Sequence, residues 1–325
     1  MANFKLNNVN ILGMAAAVPK NKSINTNAKF VNTTGVSEKR ITNTDVCTSD
    51  LCFEAAKQLI IDLNVNKQEI EILIFVSQTP DYKLPVTSTI IQHKLGLPQS
   101  CLCLDIPLGC SGYPYGLSVI STLIASGKIK KGLLLVGDTI SKEIHPEDQS
   151  IEPLFGDAGT ATLLEYNEEA NPIMFDLGSD GEGYEAIIIP GGASRSKTAS
   201  CYLDLKGIDV FNFGINKVPK VVNEFFDNFN LKKEEIDLFI FHQANKIMND
   251  KIYKKLSIPE NKTLSSLYNF GNTSSATIPL TIITESGKVK ANTKLFLCGF
   301  GVGLSWGSVY LNLKKDLFCS NLIEV

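Results

Sequence analysis

Short apolar runs alternate with stretches of helical period along most of this chain. Ile72-Leu73-Ile74-Phe75, Leu133-Leu134-Leu135-Val136-Gly137, Phe239-Ile240-Phe241 and Leu295-Phe296-Leu297-Cys298-Gly299 are continuous apolar runs rather than alternating ones. Strands of that kind are buried on both faces. Further strands are predicted at Val9–Ala16, Ala161–Glu165, Ile187–Pro190 and Trp306–Leu313. Between runs, apolar residues return at helical spacing, as in Tyr115, Leu117, Ile120, Leu123 and Ile124. The pattern predicts an α/β fold of mixed layers with largely buried sheets.

The pattern also repeats. Lys67-Gln68-Glu69-Ile70-Glu71-Ile72-Leu73-Ile74-Phe75 resembles Lys233-Glu234-Glu235-Ile236-Asp237-Leu238-Phe239-Ile240-Phe241. Ser126-Gly127-Lys128-Ile129-Lys130 resembles Ser286-Gly287-Lys288-Val289-Lys290, and each leads into a buried strand. The offset stays near 160 to 166 residues. A duplication follows, with halves 1–166 and 167–325 and no low-complexity linker between them.

Composition narrows the class. With 325 residues and 44% hydrophobic content the chain can bury a large core. A net charge of −3 leaves no basic footprint for nucleic acid. The eight cysteines, at 47, 52, 101, 103, 110, 201, 298 and 319, form no Cys-x-x-Cys pair and no zinc spacing. There is no signal-peptide pattern and no run of about 18 apolar residues. The expectation is a reducing, cytoplasmic compartment with free thiols, no metal and no membrane span.

One thiol stands apart. Cys110 lies in Leu104-Asp105-Ile106-Pro107-Leu108-Gly109-Cys110-Ser111-Gly112-Tyr113, where a strand-like run meets a helical one among small residues. A helix start offers free N–H groups and a positive dipole end, which lower a thiol pKa and make a nucleophile. Cys101 and Cys103, inside an apolar run, read as packing residues. His242 ends a second-half strand and opens the polar Gln243-Ala244-Asn245, unlike His93 and His145. Asn272 lies in Gly271-Asn272-Thr273-Ser274-Ser275 and reads equally as a turn or N-cap residue. Under the repeat, Cys110 and Asn272 fall near equivalent strand-to-helix turns, so three distant segments converge. Phe300-Gly301-Val302-Gly303 adds a glycine-rich turn whose N–H groups can hold an oxyanion.

These motifs, with Phe155-Gly156-Asp157-Ala158-Gly159-Thr160-Ala161 and Leu304-Ser305-Trp306-Gly307, resemble the β-ketoacyl-acyl-carrier-protein synthase III enzymes of the thiolase superfamily. The resemblance covers nearly the whole chain. It implies the five-layered α-β-α-β-α thiolase fold, a homodimer, and an acyltransferase that joins an acyl primer to malonyl-carrier protein with loss of CO₂. Cys110 would take the acyl group as a thioester. His242 and Asn272 would hold the malonyl thioester and stabilise its enolate. The N–H groups of Cys110 and Val302 would form the oxyanion hole, with Phe300 beside the thiol and Leu84 at the position of a partner-contributed acyl-pocket residue. Lys254 and Lys255 match a pair that docks the acyl carrier protein. No cofactor is implied beyond the phosphopantetheine of the carrier protein or of coenzyme A.

Departures qualify the match. The segment before Thr34-Gly35-Val36 is shortened, its Trp and Arg adenine clamp is missing, Thr33 stands at the Arg position, and the only tryptophan is Trp306. Ile247 replaces a basic residue after the His-Gln-Ala-Asn motif, with Lys246 beside it. These changes point toward primers on a carrier protein rather than coenzyme A, and toward a specialised pathway. The alternative is a thiolase-fold acyltransferase that passes the Cys110 acyl group to an oxygen or nitrogen nucleophile without decarboxylation. A Cys-His-Asn hydrolase of the papain type shares the residue types but not the Cys-Gly-Ser-Cys-Trp context or the duplication.

Overall fold

The computed structural model describes residues 2–325. Two sheets carry the architecture. In the first, Leu102–Ile106, Ile72–Val76 and Lys131–Asp138 run parallel. Ala158–Tyr166 then pairs antiparallel to Lys131–Asp138, and Val9–Val18 antiparallel to Ala158–Tyr166. In the second, Leu238–Phe241 lies parallel to Lys294–Gly301, and Ser305–Asn312 and Ile173–Ser179 follow antiparallel. The order and directions match those of the first sheet. The place of Leu102–Ile106 is held in the second sheet by a single parallel bridge, Phe239 to Thr263. The chain ends are exchanged: Ala2–Leu6 pairs with Ile173–Ser179, whereas Phe318–Cys319 and Ile323–Glu324 pair with Val9–Val18.

Alternate residues of one strand enter different cores, as the two-residue period requires. Ile72, Ile74 and Val76 join a core between the sheets, while Leu73 and Phe75 join a core on the outer face. In the second sheet Leu295 and Leu297 point inward, and Phe296, Cys298 and Phe300 point outward. This explains the continuous apolar runs: every residue has a buried face to meet. Between the sheets lie the helices Gly112–Ala125 and Thr277–Thr284, apolar on nearly all sides. Thr48–Asp62 and Thr87–Leu95 cover the first sheet outside, and Gly207–Asn228 and Lys246–Leu256 cover the second. The layers are therefore α-β-α-β-α, the thiolase arrangement.

The expected strand at Ile187–Pro190 is only a two-residue ribbon, Ile187–Ile188 against Asp204–Leu205. Pro190 has no N–H to extend the ladder, and the isoleucines serve a cavity wall instead.

Phe296 is fully buried and meets Phe225, Phe226, Phe239 and Phe241 at centroid distances of 5.0–6.0 Å. Phe296→Ala is expected to cost about 3–5 kcal/mol in urea unfolding. A loss below about 1 kcal/mol would show that this aromatic cluster repacks freely.

Candidate active site

Cys110 follows the strand Leu102–Ile106 and precedes Ser111, the N-cap of Gly112–Ala125. A cross-tie locks this turn to the end of Lys294–Gly301. The Ser305 hydroxyl donates to the Val302 carbonyl at 2.6 Å, and the Ser111 hydroxyl donates to Ser305 Oγ at 2.6 Å. The backbones come so close that a Cβ on Gly301 would lie 2.6 Å from Cys110 Cβ and 2.9 Å from its Sγ. Only glycine can pass there. The N–H groups of Val302 and of Cys110 itself face the sulfur, as does the Ser274 hydroxyl.

His242 follows Leu238–Phe241 and extends its ladder, donating its N–H to the Cys298 carbonyl at 2.8 Å. Asn249 Nδ2 donates to the His242 carbonyl at 3.1 Å. The ring is buried, stands edge-on to Phe300 at 5.5 Å, and has Nδ1 2.8 Å from Thr277 Oγ1. Burial lowers its pKa to about 3, so the imidazole stays neutral at physiological pH.

Asn272 Oδ1 accepts the Ser274 N–H at 2.9 Å. This turn contact, the bland reading of the motif, also fixes the amide: Nδ2 keeps only a long 3.5 Å contact to the Ala244 carbonyl and remains available to donate. The loop is pinned by Asp138. Its buried carboxylate accepts from Ser275 N and Oγ, at 3.1 and 2.6 Å, and from Gln78 N at 2.7 Å. Asp138 and Thr277 escaped the sequence reading. The signal for Asp138 was an acidic residue closing the apolar run Leu133–Gly137.

Cys110, His242, Asn272, Phe300 and Val302 all line one cavity of about 170 Å³. Its remaining walls are largely aliphatic, with Ile140, Leu154, Ile187, Ile188, Leu203 and Leu205 among them. Three sequence candidates lie elsewhere. Leu84 is 85% exposed, on the turn before Pro85. Lys254 and Lys255 occupy the last turn of Lys246–Leu256, and Lys255 Nζ donates to Asn216 Oδ1 at 3.0 Å. The first residue before that helix, Asn245, lines the cavity. Among the described residues no group of three or more His, Cys, Asp or Glu side chains is placed to hold a metal, and no helix is long and apolar enough to cross a membrane.

Residues 104–181 match the family 3-oxoacyl-[acyl-carrier-protein (ACP)] synthase III, and residues 226–313 match its C-terminal region. A β-ketoacyl-[acyl-carrier-protein] synthase III of Halalkalibacterium halodurans is 36% identical, over 89% of this chain and 90% of its own length. The chain belongs to the β-ketoacyl-acyl-carrier-protein synthase III family. A synthase III of Clostridium perfringens is 31% identical over 95% of this chain and 100% of its own. The crystal structure of a 3-oxoacyl-(acyl-carrier protein) synthase from Burkholderia xenovorans superposes with a TM-score of 0.96. It is 38% identical and covers 100% of this chain and 99% of its own.

One expectation about this family member's thiol is reversed. The helix start should lower the pKa of Cys110, yet burial pushes it up to about 12, with the Asp138 carboxylate adding to the rise. Cys110 keeps some surface toward the cavity. Burial takes solvation from the thiolate, and the nearby N–H groups recover only part of that loss. Alkylation of Cys110 by iodoacetamide should therefore gain about tenfold per pH unit between about pH 7 and pH 9, because rate follows the thiolate fraction below the pKa. A plateau beginning below about pH 8 would mean that the thiol ionises as the helix start alone suggests.

Proposed function

We propose that the chain is a condensing enzyme that loads an acyl primer on Cys110 and extends it with malonyl-carrier protein. The carrying observation is the single cavity shared by Cys110, His242, Asn272, Phe300 and Val302. In the first half-reaction Cys110 sulfur bonds to the acyl carbon, the primer's thioester S–C bond breaks, and the thiol proton ends on the released pantetheine thiol. The N–H groups of Cys110 and Val302 stabilise the tetrahedral oxyanion. In the second, malonyl loses CO₂, and the resulting enolate carbon attacks the Cys110 thioester. The new C–C bond forms as the S–C bond breaks, and the thiolate takes a proton.

His242 and Asn272 act as neutral donors to the enolate oxygen. A histidine of pKa about 3 suits this role, because it stays uncharged while offering N–H. Thr277 supports it by orienting the ring: its Oγ1 lies 2.8 Å from Nδ1 and also donates to the Ser274 carbonyl at 3.2 Å, which leaves Nε2 facing away from this contact. The alternative, transfer to an oxygen or nitrogen nucleophile, needs no enolate stabilisation and leaves the Asn272 amide without a task.

We infer further that the enzyme is a cytoplasmic homodimer of two duplicated halves, 1–166 and 167–325, without a cofactor of its own. The matching sheet orders support the halves. Eight unpaired cysteines support the compartment. The dimer is supported by Leu84, Val86, Leu102 and Leu104, all exposed, the last two on the edge strand Leu102–Ile106. Leu84 would then serve the partner's acyl pocket rather than its own. The carrier protein would approach along Lys246–Leu256, which runs roughly 14 Å from Asn245 to Lys254.

His242→Ala and Asn272→Ala should keep most acylation of Cys110, read as intact mass, and lose condensation by roughly 10² or more. Either variant condensing within about threefold of wild type would overturn its role. Acylation of Cys110 with no CO₂ released on condensation would favour the alternative.

Lys254→Glu with Lys255→Glu should lower kcat/KM for acyl-carrier protein by about tenfold at low salt, with less effect on the same acyl group on coenzyme A. Thr33 and Ile247, exposed where an adenine clamp would stand, support that asymmetry. Equal losses on both carriers, or none, would remove the docking role.

A further inference from the structure

A cavity built for a plain hydrocarbon chain needs no polar wall away from the reacting atoms. This one has such a wall at Glu143. The residue closes the short turn Ile140–Glu143 and lines the cavity with Ile140, Leu203 and Leu205. Its own carbonyl accepts the Leu203 N–H at 2.7 Å, which holds the turn against that wall.

The carboxylate has no hydrogen bond or ion pair with any described residue. The adjacent Lys142 makes no ion pair with it, and its Nζ donates to the carbonyls of Thr44 and Val46 at 3.0 and 2.6 Å. Burial holds the Glu143 carboxyl above its usual range, with Asp138 adding to the effect and the charge of Lys142 opposing it. Gln78 gives a second polar surface. Its backbone N–H is committed to Asp138, but its side-chain amide lines the cavity against the Cys110 turn, so close that a Cβ on Gly109 would meet Gln78 Oε1.

A carboxylate is an acceptor with no proton to give. An alkyl chain filling the cavity would strip water from Glu143 and return nothing, a cost of the kind that buried polar groups avoid. A chain bearing a donor would replace that water. We propose that the acyl primer carries a hydroxyl or amine and that Glu143 accepts its hydrogen bond. This rests on the reading that the cavity receives the acyl chain of the Cys110 thioester. Glu143 would be a specificity residue without a part in bond making, and the primer would come from a reaction that hydroxylates, reduces or aminates an acyl chain.

The test uses N-acetylcysteamine thioesters of butanoic, hexanoic and octanoic acids, and their counterparts with one hydroxyl or amino group at each carbon beyond the second. Equal-length pairs compete for the enzyme, and acyl-Cys110 is read by intact mass. Wild type should favour at least one hydroxy- or amino-acyl group by about tenfold or more over the alkyl group of equal length, and Glu143→Leu should reverse that preference. Glu143→Ala repeats the comparison with a smaller side chain. Alkyl primers that match or beat every polar counterpart in wild type would overturn the proposal, as would a polar preference surviving both variants. In those cases alkyl acylation that Cys110→Ala abolishes would leave the reading of the site standing. If no thioester acylated Cys110, that reading and this proposal would fall together.

Discussion

The helix Gly112–Ala125 is gripped between two sheets, and the site depends on where its first turn is pinned. Leu117, Ile120 and Ile124 pack against inward residues of both sheets, among them Ile74, Val76, Leu297 and Val309. A helix buried on most of its faces cannot slide without opening voids. Cys110 therefore stands at a fixed height, against a strand whose Gly301 leaves no room for even a methyl group. The N–H groups of Cys110 and Val302, one from each side of that contact, come from two elements that approach only because both sheets bury the same helix.

Polar ties complete what packing begins. Asp138, at the end of a first-sheet strand, reaches Ser275 in the loop that carries Asn272. Ser111 reaches Val302 through Ser305. Both ties are buried, and a buried hydrogen bond costs more to break than it gains in forming, because its partner is left without water. They hold the Cys110 turn and the Asn272 loop in one frame.

Burial also sets the electrostatics. The same dry interior raises the thiol of Cys110 and lowers the imidazole of His242, since each is held in its neutral form. The result is a cavity in which both groups stand neutral beside hydrogen-bond donors.

The chain's own order of residues determined much of this. Apolar runs without alternation dictated sheets covered on both faces, because only such strands have no solvent side, and the repeated segments before Phe75 and Phe241 dictated matched layers. Cys110, His242 and Asn272 were legible as candidates because small or polar residues interrupt apolar runs at strand ends, and the fold brings all three to one cavity. Tertiary structure alone decided the rest. The pKa of Cys110 depends on its burial among distant segments, which no local motif encodes, and burial outweighs the helix-end effect that the motif did encode. The cavity walls come from Ile140, Leu154, Ile187 and Leu203, scattered residues that share no period. Asp138 and Thr277 matter through contacts with residues 137 and 35 positions away, and such distances are closed only when the sheets and the helices between them pack.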